Sequence, residues 1–399
     1  MPQWEPPVDT AAAVDRLMRF LAVEGITGQE AAIGREVVAE LKRLGVAGSA
    51  IKFDDANSRI PLPTQTGNLI VTLPGANDAP RLLFMTHLDT VPLCAGAVPT
   101  RKGNRIVPAG PTALGGDNRT GVAVLVTLVE TLLRHKLPHP PLTLLFTVRE
   151  ESGLFGARYL DPADLGGPKY GFNFDGKHAA ELTIGAVGAE RWEVEITGKA
   201  AHAGVAPEKG ISATAIFSLA LADIVRTGWF GKVIQGEKQG TSNVGNVAGA
   251  DGGCAGQATN VVTDYVKVLG ESRSHDPKFT KEITTAYKAA FRAAAEQVRD
   301  AEGRIGKVKF TSRLDYYPFR MKPTAPAVKH AKRAAEKLGL DSRLKIGNGG
   351  LDANWMNRHK IPTVTLGAGQ NEIHTQNEFI DVNEFLAGCR MAVALAIEE

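Results

Sequence analysis

The sequence predicts an α/β protein of two domains, the second inserted into the first. Three observations predict it. The apolar runs 82–85 and 142–148 have the length and composition of strands covered on both faces. Segments with apolar residues at helical spacing alternate with them. Between residues 189 and 316 the order becomes β-α-β-β-α-β, the split βαβ arrangement of a small two-layer domain. At 399 residues the chain also exceeds one ordinary core and suggests about two domains. The first domain is therefore expected over 1–188 and 317–399, with 189–316 inserted.

From the N-terminus, Val14, Leu17, Met18 and Leu21 share one helical face, and Gly25 closes that helix. Thr27-Gly28-Gln29-Glu30 has the form of a capping box. It opens a second helix with Ile33, Val37, Leu41 and Leu44 on one face, ended by Gly45. Strands follow over 68–73 and 82–85. Residues 103–116, rich in Gly and Pro, read as loop, and an apolar helix then runs over 122–133. Further strands span 142–148 and 170–174. The inserted segment offers a strand over 191–197, a loop holding His202 and a helix over 212–225. Strands over 242–248 and 261–269, a helix over 278–298 and a strand over 307–315 complete it. The first domain resumes with an amphipathic helix over 327–338 and a glycine-rich loop over 347–354. A strand over 361–366 and a closing helix over 382–397 finish it.

Composition excludes several classes. A hydrophobic fraction of 43% and a charged fraction of 22% are those of a soluble globular protein. The net charge of +3 is small, and no Lys/Arg run or basic–aromatic stripe suggests nucleic acid. No basic start precedes an apolar stretch at the N-terminus, so no signal peptide is expected. No apolar run approaches the ~20 residues that span a bilayer. Cys94, Cys254 and Cys389 are few, odd in number and far apart, which argues against a disulfide framework and fits the cytoplasm. Cys94 reads as an ordinary loop thiol.

Polar residues stand where the apolar strands end. His87 leaves the run 82–85, at the end of a strand where open α/β sheets place their ligand sites, and Asp89 shares its face if the chain stays extended. Taken alone, the pair is also an ordinary hydrogen-bonded loop. Gly115-Gly116-Asp117 precedes a helix, so Asp117 could equally be an N-cap. Glu150-Glu151 follows the strand 142–148, and Asp175 follows 170–174. His374 lies in the loop after 361–366. Together His87, Asp117, Glu151, Asp175 and His374 are a mixed N/O set suited to Zn²⁺, with Mn²⁺ or Co²⁺ as alternatives. They exceed what one tetrahedral ion takes and suit two ions if a carboxylate bridges. Gly349 and Gly350 are expected to bring backbone amides near a substrate.

The motifs Thr86-His87-Leu88-Asp89-Thr90-Val91-Pro92, Gly116-Asp117-Asn118, Glu150-Glu151-Ser152-Gly153, Phe174-Asp175-Gly176, Ala201-His202-Ala203-Gly204 and His374 lie along nearly the whole chain. In order and rough spacing the chain resembles the dinuclear-zinc peptidase family of peptidase T, the glutamate carboxypeptidases and the aminoacylases. The resemblance implies a three-layer αβα zinc-peptidase catalytic domain with an inserted ferredoxin-like βαββαβ lid/dimerisation domain. It implies two Zn²⁺ per subunit, one on His87 and Asp175, the other on Glu151 and His374, with Asp117 bridging. It implies that Asp89 orients His87 and that Glu150 is the general base for a metal-bridging water. It implies that His202 reaches a partner subunit's site, and that Asn260 and Arg273 hold a substrate carboxylate. Asp175, where related carboxypeptidases tend to carry Glu, points to a peptidase T-like aminopeptidase acting on tripeptides. The alternative within the family is an N-acyl amino acid amidase or a carboxypeptidase. The expected partners are a short peptide and a second subunit.

Overall fold

The computed structural model describes residues 4–76, 79–256 and 258–397. The chain divides into two units, Met1–Ala186 with Phe319–Glu399, and Val187–Pro318.

The first unit opens with helices α1 (Thr10–Leu21) and α2 (Ala31–Arg43). Thr27 and Glu30 do not form the expected capping box. The Thr27 hydroxyl bonds the Ser152 hydroxyl at 3.0 Å, and the Glu30 carboxylate accepts the N–H groups of Gly28 at 2.7 Å and Arg149 at 3.1 Å. Gly28 turns the chain at φ +86°, so these side chains anchor the loop of Glu150 instead.

Strand β1 (Ile51–Phe53), helix α3 (Ala56–Arg59) and strands β2 (Leu69–Leu73) and β3 (Leu82–His87) follow. The expected loop over 103–116 contains part of a hairpin, β4 (Pro99–Lys102) and β5 (Arg105–Pro108), turning on Gly103-Asn104. Glycine followed by asparagine is a two-residue hairpin signal. Then come α4 (Gly116–His135), β6 (Leu142–Thr147), α5 (Phe155–Tyr159), β7 (Tyr170–Phe174) and β8 (Glu181–Ala186).

The inserted unit contains β9 (Gly188–Thr197), α6 (Ala213–Arg226), β10 (Gly231–Gln235), β11 (Lys238–Ala248), β12 (Tyr265–Ser274), α7 (Pro277–Gln297) and β13 (Lys307–Tyr316). Its antiparallel sheet has the order β10-β11-β12-β9-β13. Without β10 this is the ferredoxin-like arrangement, with β12 antiparallel between β11 and β9. β10 is an additional edge strand, joined to β11 through Gly236-Glu237. The strand expected over 261–269 begins only at Tyr265, in register with Thr197 of β9. The core lies where Trp192 packs against Tyr287, with ring centroids 4.4 Å apart and the planes tilted by 36°.

The first unit resumes with β14 (Phe319–Arg320), α8 (Pro326–Lys337), β15 (Arg343–Gly347), α9 (Asp352–Arg358), β16 (Thr363–Leu366), β17 (Gln370–Asn371), β18 (Phe379–Asp381) and α10 (Val382–Ile397). Parts of the expected loop 347–354 therefore belong to β15 and α9. Its main sheet runs β1-β2-β6-β3-β7-β16-β8-β14, and β15 pairs with β8. β3 is parallel to both β6 and β7, and β7 to β16. Their exits therefore emerge at one edge.

Alternation along β3 builds three layers. Leu82 and Phe84 join the cluster under α1, α2, α4, α8 and α10. Leu83 and Met85 join Ala157 of α5 and Met356 of α9 on the opposite face. Phe84 lies 5.5 Å from Phe172 and 6.4 Å from Phe174 between ring centroids. Truncating such a buried ring costs about 3–5 kcal/mol.

Candidate metal centre

At the exit of β3, His87 is buried and its Nδ1 lies 2.9 Å from the Asp89 backbone carbonyl. That bond places the proton on Nδ1 and turns Nε2 toward Asp117 Oδ1 at 3.1 Å. The Asp89 carboxylate stands further from Nδ1, at 3.4 Å. It accepts the N–H groups of Glu150 at 3.0 Å and Glu151 at 3.2 Å. Asp89 thus meets His87 first through its main chain, while its side chain holds the neighbouring strand exit.

Asp117 is not an N-cap. It is non-helical, at φ −83° and ψ 100°, and follows Gly115 at φ +82°. The cap is Asn118, whose Oδ1 accepts the Gly121 N–H at 3.0 Å and the Gln370 side-chain amide at 2.9 Å. The Asn118 amide donates to the Phe174 carbonyl at 2.8 Å, joining the loop of Asp117 to the strand before Asp175. Buried Glu378 accepts the N–H groups of Leu114, Gly115 and Asp117 at 2.8, 2.9 and 3.1 Å. Gln370 and Glu378 were missed in the sequence, because nothing near them marks partners more than 250 residues away.

His374 Nε2 lies 3.1 Å from Asp117 Oδ2 and 3.0 Å from the Glu151 carboxylate. Asp175 Oδ1 is 3.9 Å from His87 Nε2. Two triads, His87–Glu150–Asp175 and His87–Asp117–Glu151, bring ligand atoms within 4.8 Å of one another. Arg149 (φ +53°), Leu154 (φ +58°) and His374 (φ +63°) hold left-handed backbone around the cluster. Such conformations cost non-glycine residues about 1–3 kcal/mol each and are held by the surrounding structure.

Crowding shows in the acid–base behaviour. Burial, then Asp117, pushes Glu151 up to about 7, and the same causes push Asp175 up to about 8. Burial pushes Glu150 well above the carboxylate range, aided by Asp175, Glu151 and Asp352 and opposed by His87. Bonds to Asp117 and Glu151 raise His374 to about 10. Burial works against a charged His87, but Asp117 and Asp89 outweigh it and raise its pKa well above the usual value. Asp117 alone is lowered: both imidazoles overcome its burial. Carboxylates this crowded hold protons unless cations replace them. Their oxygen and imidazole donors fit two divalent ions such as Zn²⁺, Mn²⁺ or Co²⁺. Burial, then Glu378, pushes the Cys94 thiol up to about 12, which makes it inert.

A cleft of about 190 Å³ runs from Asp175 past Gly176, Gly347 and Gly349. Gly350 lies beside it in sequence. His202, Asn260 and Arg273 belong to the inserted unit. There the Asn260 carbonyl accepts the Ala203 N–H at 2.8 Å, so exposed His202 and Asn260 are close. Arg273 is paired with Glu271, Nε to Oε1 at 2.8 Å and Nη2 to Oε2 at 2.9 Å. Its guanidinium is engaged by a carboxylate of its own strand. Asp352, in the expected glycine-rich loop, was also missed; it is buried and bonds the Thr147 hydroxyl.

A three-layer α/β core whose strand exits gather buried His87 and the carboxylates of Asp117, Glu150, Glu151 and Asp175 at ligand distance, with His374 beside them, defines the class, a metallopeptidase. The chain belongs to peptidase family M20/M25/M40, whose model matches residues 83–398. It is 32% identical over 393 residues to the uncharacterized protein YqjE of Bacillus subtilis, covering 98% of this chain and 99% of that one. The aminopeptidase PepT of Bacillus cereus superposes with a TM-score of 0.81 at 33% identity, covering 98% of this chain and 99% of that one. A Staphylococcus aureus tripeptidase gives a TM-score of 0.85 at 28% identity, covering 98% of each chain. The chain is a peptidase T-like member and a metallo-exopeptidase.

Proposed function

We propose that the chain is a two-metal aminopeptidase that removes the N-terminal residue of short peptides, tripeptides above all. The observation that carries this reading is Asp117, whose two oxygens face different imidazoles, His87 and His374, at 3.1 Å each. A carboxylate so placed suits a bridge between two ions. His87 and Asp175 would hold one ion, and Glu151 and His374 the other. When bound, such ions polarise a scissile carbonyl and ease deprotonation of water. Glu150 takes the proton from the attacking water and returns it to the leaving amine. A positioned carboxylate can perform both steps. Asp89 keeps the Nδ1 proton of His87 in place and fixes the main chain of Glu150. The names of the Bacillus cereus and Staphylococcus aureus neighbours support the substrate class.

In this reading the inserted residues, about 189–316, form a lid and dimerisation domain, with His202, Asn260 and Arg273 serving the substrate. Exposed apolar side chains of that unit support a homodimer: Ile234 on the edge strand β10 is 52% exposed and Val225 on α6 is 56% exposed. Sedimentation that found a fully active monomer would remove the dimer. The free cysteines support a cytoplasmic setting. Among the described residues no helix is long and apolar enough to cross a membrane.

The test is mass-spectrometric product analysis of the zinc-loaded protein with a free tripeptide and its N-acetylated twin. Release of the N-terminal residue from the free peptide alone is expected. Cleavage of only the acetylated twin would overturn the aminopeptidase reading.

A further inference from the structure

Asp352 opens α9 and is 1% exposed. One of its oxygens accepts the Thr147 hydroxyl, while Oδ1 has no hydrogen-bond partner. Thr147 ends β6, lies directly opposite His87 in the pairing of β3 with β6, and places its hydroxyl 3.2 Å from the Thr86 carbonyl. A buried, half-satisfied carboxylate is therefore fastened to the two strand exits that deliver His87 and Glu150.

Asp352 is neither a proposed ligand nor the proposed base, so neither role accounts for a carboxylate there. Buried with Oδ1 lacking a hydrogen-bond partner, a charged carboxylate is strongly unfavourable. Burial pushes its pKa up to about 7; the Thr147 bond and His87 oppose this, and Asp89 adds repulsion. A site that held no cations would fare better with a neutral side chain.

Charge balance gives the carboxylate a purpose. Two divalent ions bring four positive charges, and their proposed ligands Asp117, Glu151 and Asp175 return three negative ones; buried Asp89 stands behind His87, on the Nδ1 side of the ring and away from the Nε2 that faces Asp117. Glu150 cannot supply a steady fourth, since it must take up and release a proton. We propose that Asp352 is a positioning residue for the cation centre: its charge tightens divalent-cation binding without occupying a coordination position, and its bond to Thr147 keeps the exits of β3 and β6 together. The proposal rests on the two-metal reading above.

The test compares Asp352→Asn, which keeps an acceptor for Thr147 and removes the charge, with Asp352→Ala, which removes both. Zn²⁺ or Co²⁺ affinity is read by competition with a chromophoric chelator, and melting is followed with and without the ion. Asp352→Asn is expected to weaken cation binding about 10- to 100-fold, the range for residues that support metal ligands. It should raise the Tm of the metal-free protein, because repulsion is relieved, and lower that of the loaded protein. Asp352→Ala should weaken binding at least as much and lower both melting temperatures. Wild-type affinity in Asp352→Asn, or equal losses of Tm in both states with affinity unchanged, would overturn the proposal alone. Wild-type protein that bound no cation would overturn the two-metal reading and this proposal with it.

Discussion

The side chain of Asp89 accepts the backbone N–H of Glu150 at 3.0 Å. The exit of β3 thereby fixes the exit of β6, and the proposed base is held by its main chain as well as by its crowded surroundings. Its position and its ionisation are controlled by different neighbours, so they can be perturbed separately.

Glu150→Gln keeps the shape of the side chain and removes its basicity. Turnover is expected to fall roughly 10²- to 10⁴-fold, the usual contribution of a general base. Metal content should stay at the wild-type level, because no proposed ligand is lost. Elemental analysis beside steady-state kinetics checks both halves. Wild-type kcat in a fully loaded variant would remove Glu150 from the chemistry.

The pH dependence of stability should reverse on metal loading. Glu151 at about 7 and Asp175 at about 8 hold protons that an unfolded chain releases near ~4. The native metal-free state therefore binds more protons across this interval, and its stability falls as pH rises through it. His374 acts in the same direction: its contribution is complete below the unfolded value near ~6.5 and is lost as pH rises through about 10. Cation binding needs deprotonated ligands and strengthens as pH rises. Melting curves with chelator and with zinc, taken from about pH 5 to pH 9, should diverge. Parallel curves would show that these carboxylates are not the cation ligands.

Arg273 and Glu271 make opposite predictions. Arg273→Ala should raise KM about 10- to 100-fold, the value of a charged hydrogen bond, and leave metal content unchanged. Glu271→Gln releases the guanidinium from its pair and should lower KM for peptides with a free C-terminus. Loss of metal in Arg273→Ala would show that the residue is misassigned.

Gly121 carries a mechanical prediction. A Cβ there would lie 2.2 Å from the Thr86 hydroxyl and 2.4 Å from the Phe174 carbonyl. Gly121→Ala therefore forces α4 away from the strands that precede His87 and Asp175. A stability loss of about 1–3 kcal/mol, typical of overpacking, should accompany weaker cation binding. Denaturant unfolding and cation titration measure the two effects. A variant as stable as wild type would show that the contact relaxes freely.

The site was legible where an apolar run stops at a polar residue. His87, Glu150 and Asp175 all announce themselves so, because a buried strand has a local pattern and its exit is a local event. What the sequence concealed depends on distant partners. β18 is recognisable only beside β5, where Ile380 and Asp381 pair with Ile106 and Arg105. Glu378 looks like an ordinary surface acid until the loop of Asp117 folds onto it. The contact of Asp89 with His87 was expected through the carboxylate and is made more closely by a carbonyl, an atom that every residue carries. Asp352 was hidden by the glycines before it, which marked a loop and drew attention from the helix start that buries it.

The pairing of Ala186 with Phe319 has an evolutionary reading. These residues are the last before the inserted unit and the first after it, and they are neighbours on one ladder. The two ends of the interruption therefore stand no further apart than adjacent strands, about 5 Å. A gap that narrow can be closed by a tight turn or refilled by another self-contained module without disturbing the sheet. The inserted unit is thus an exchangeable cassette. Lineages could exchange that module while the strand exits that carry His87, Glu150 and Asp175 keep their register.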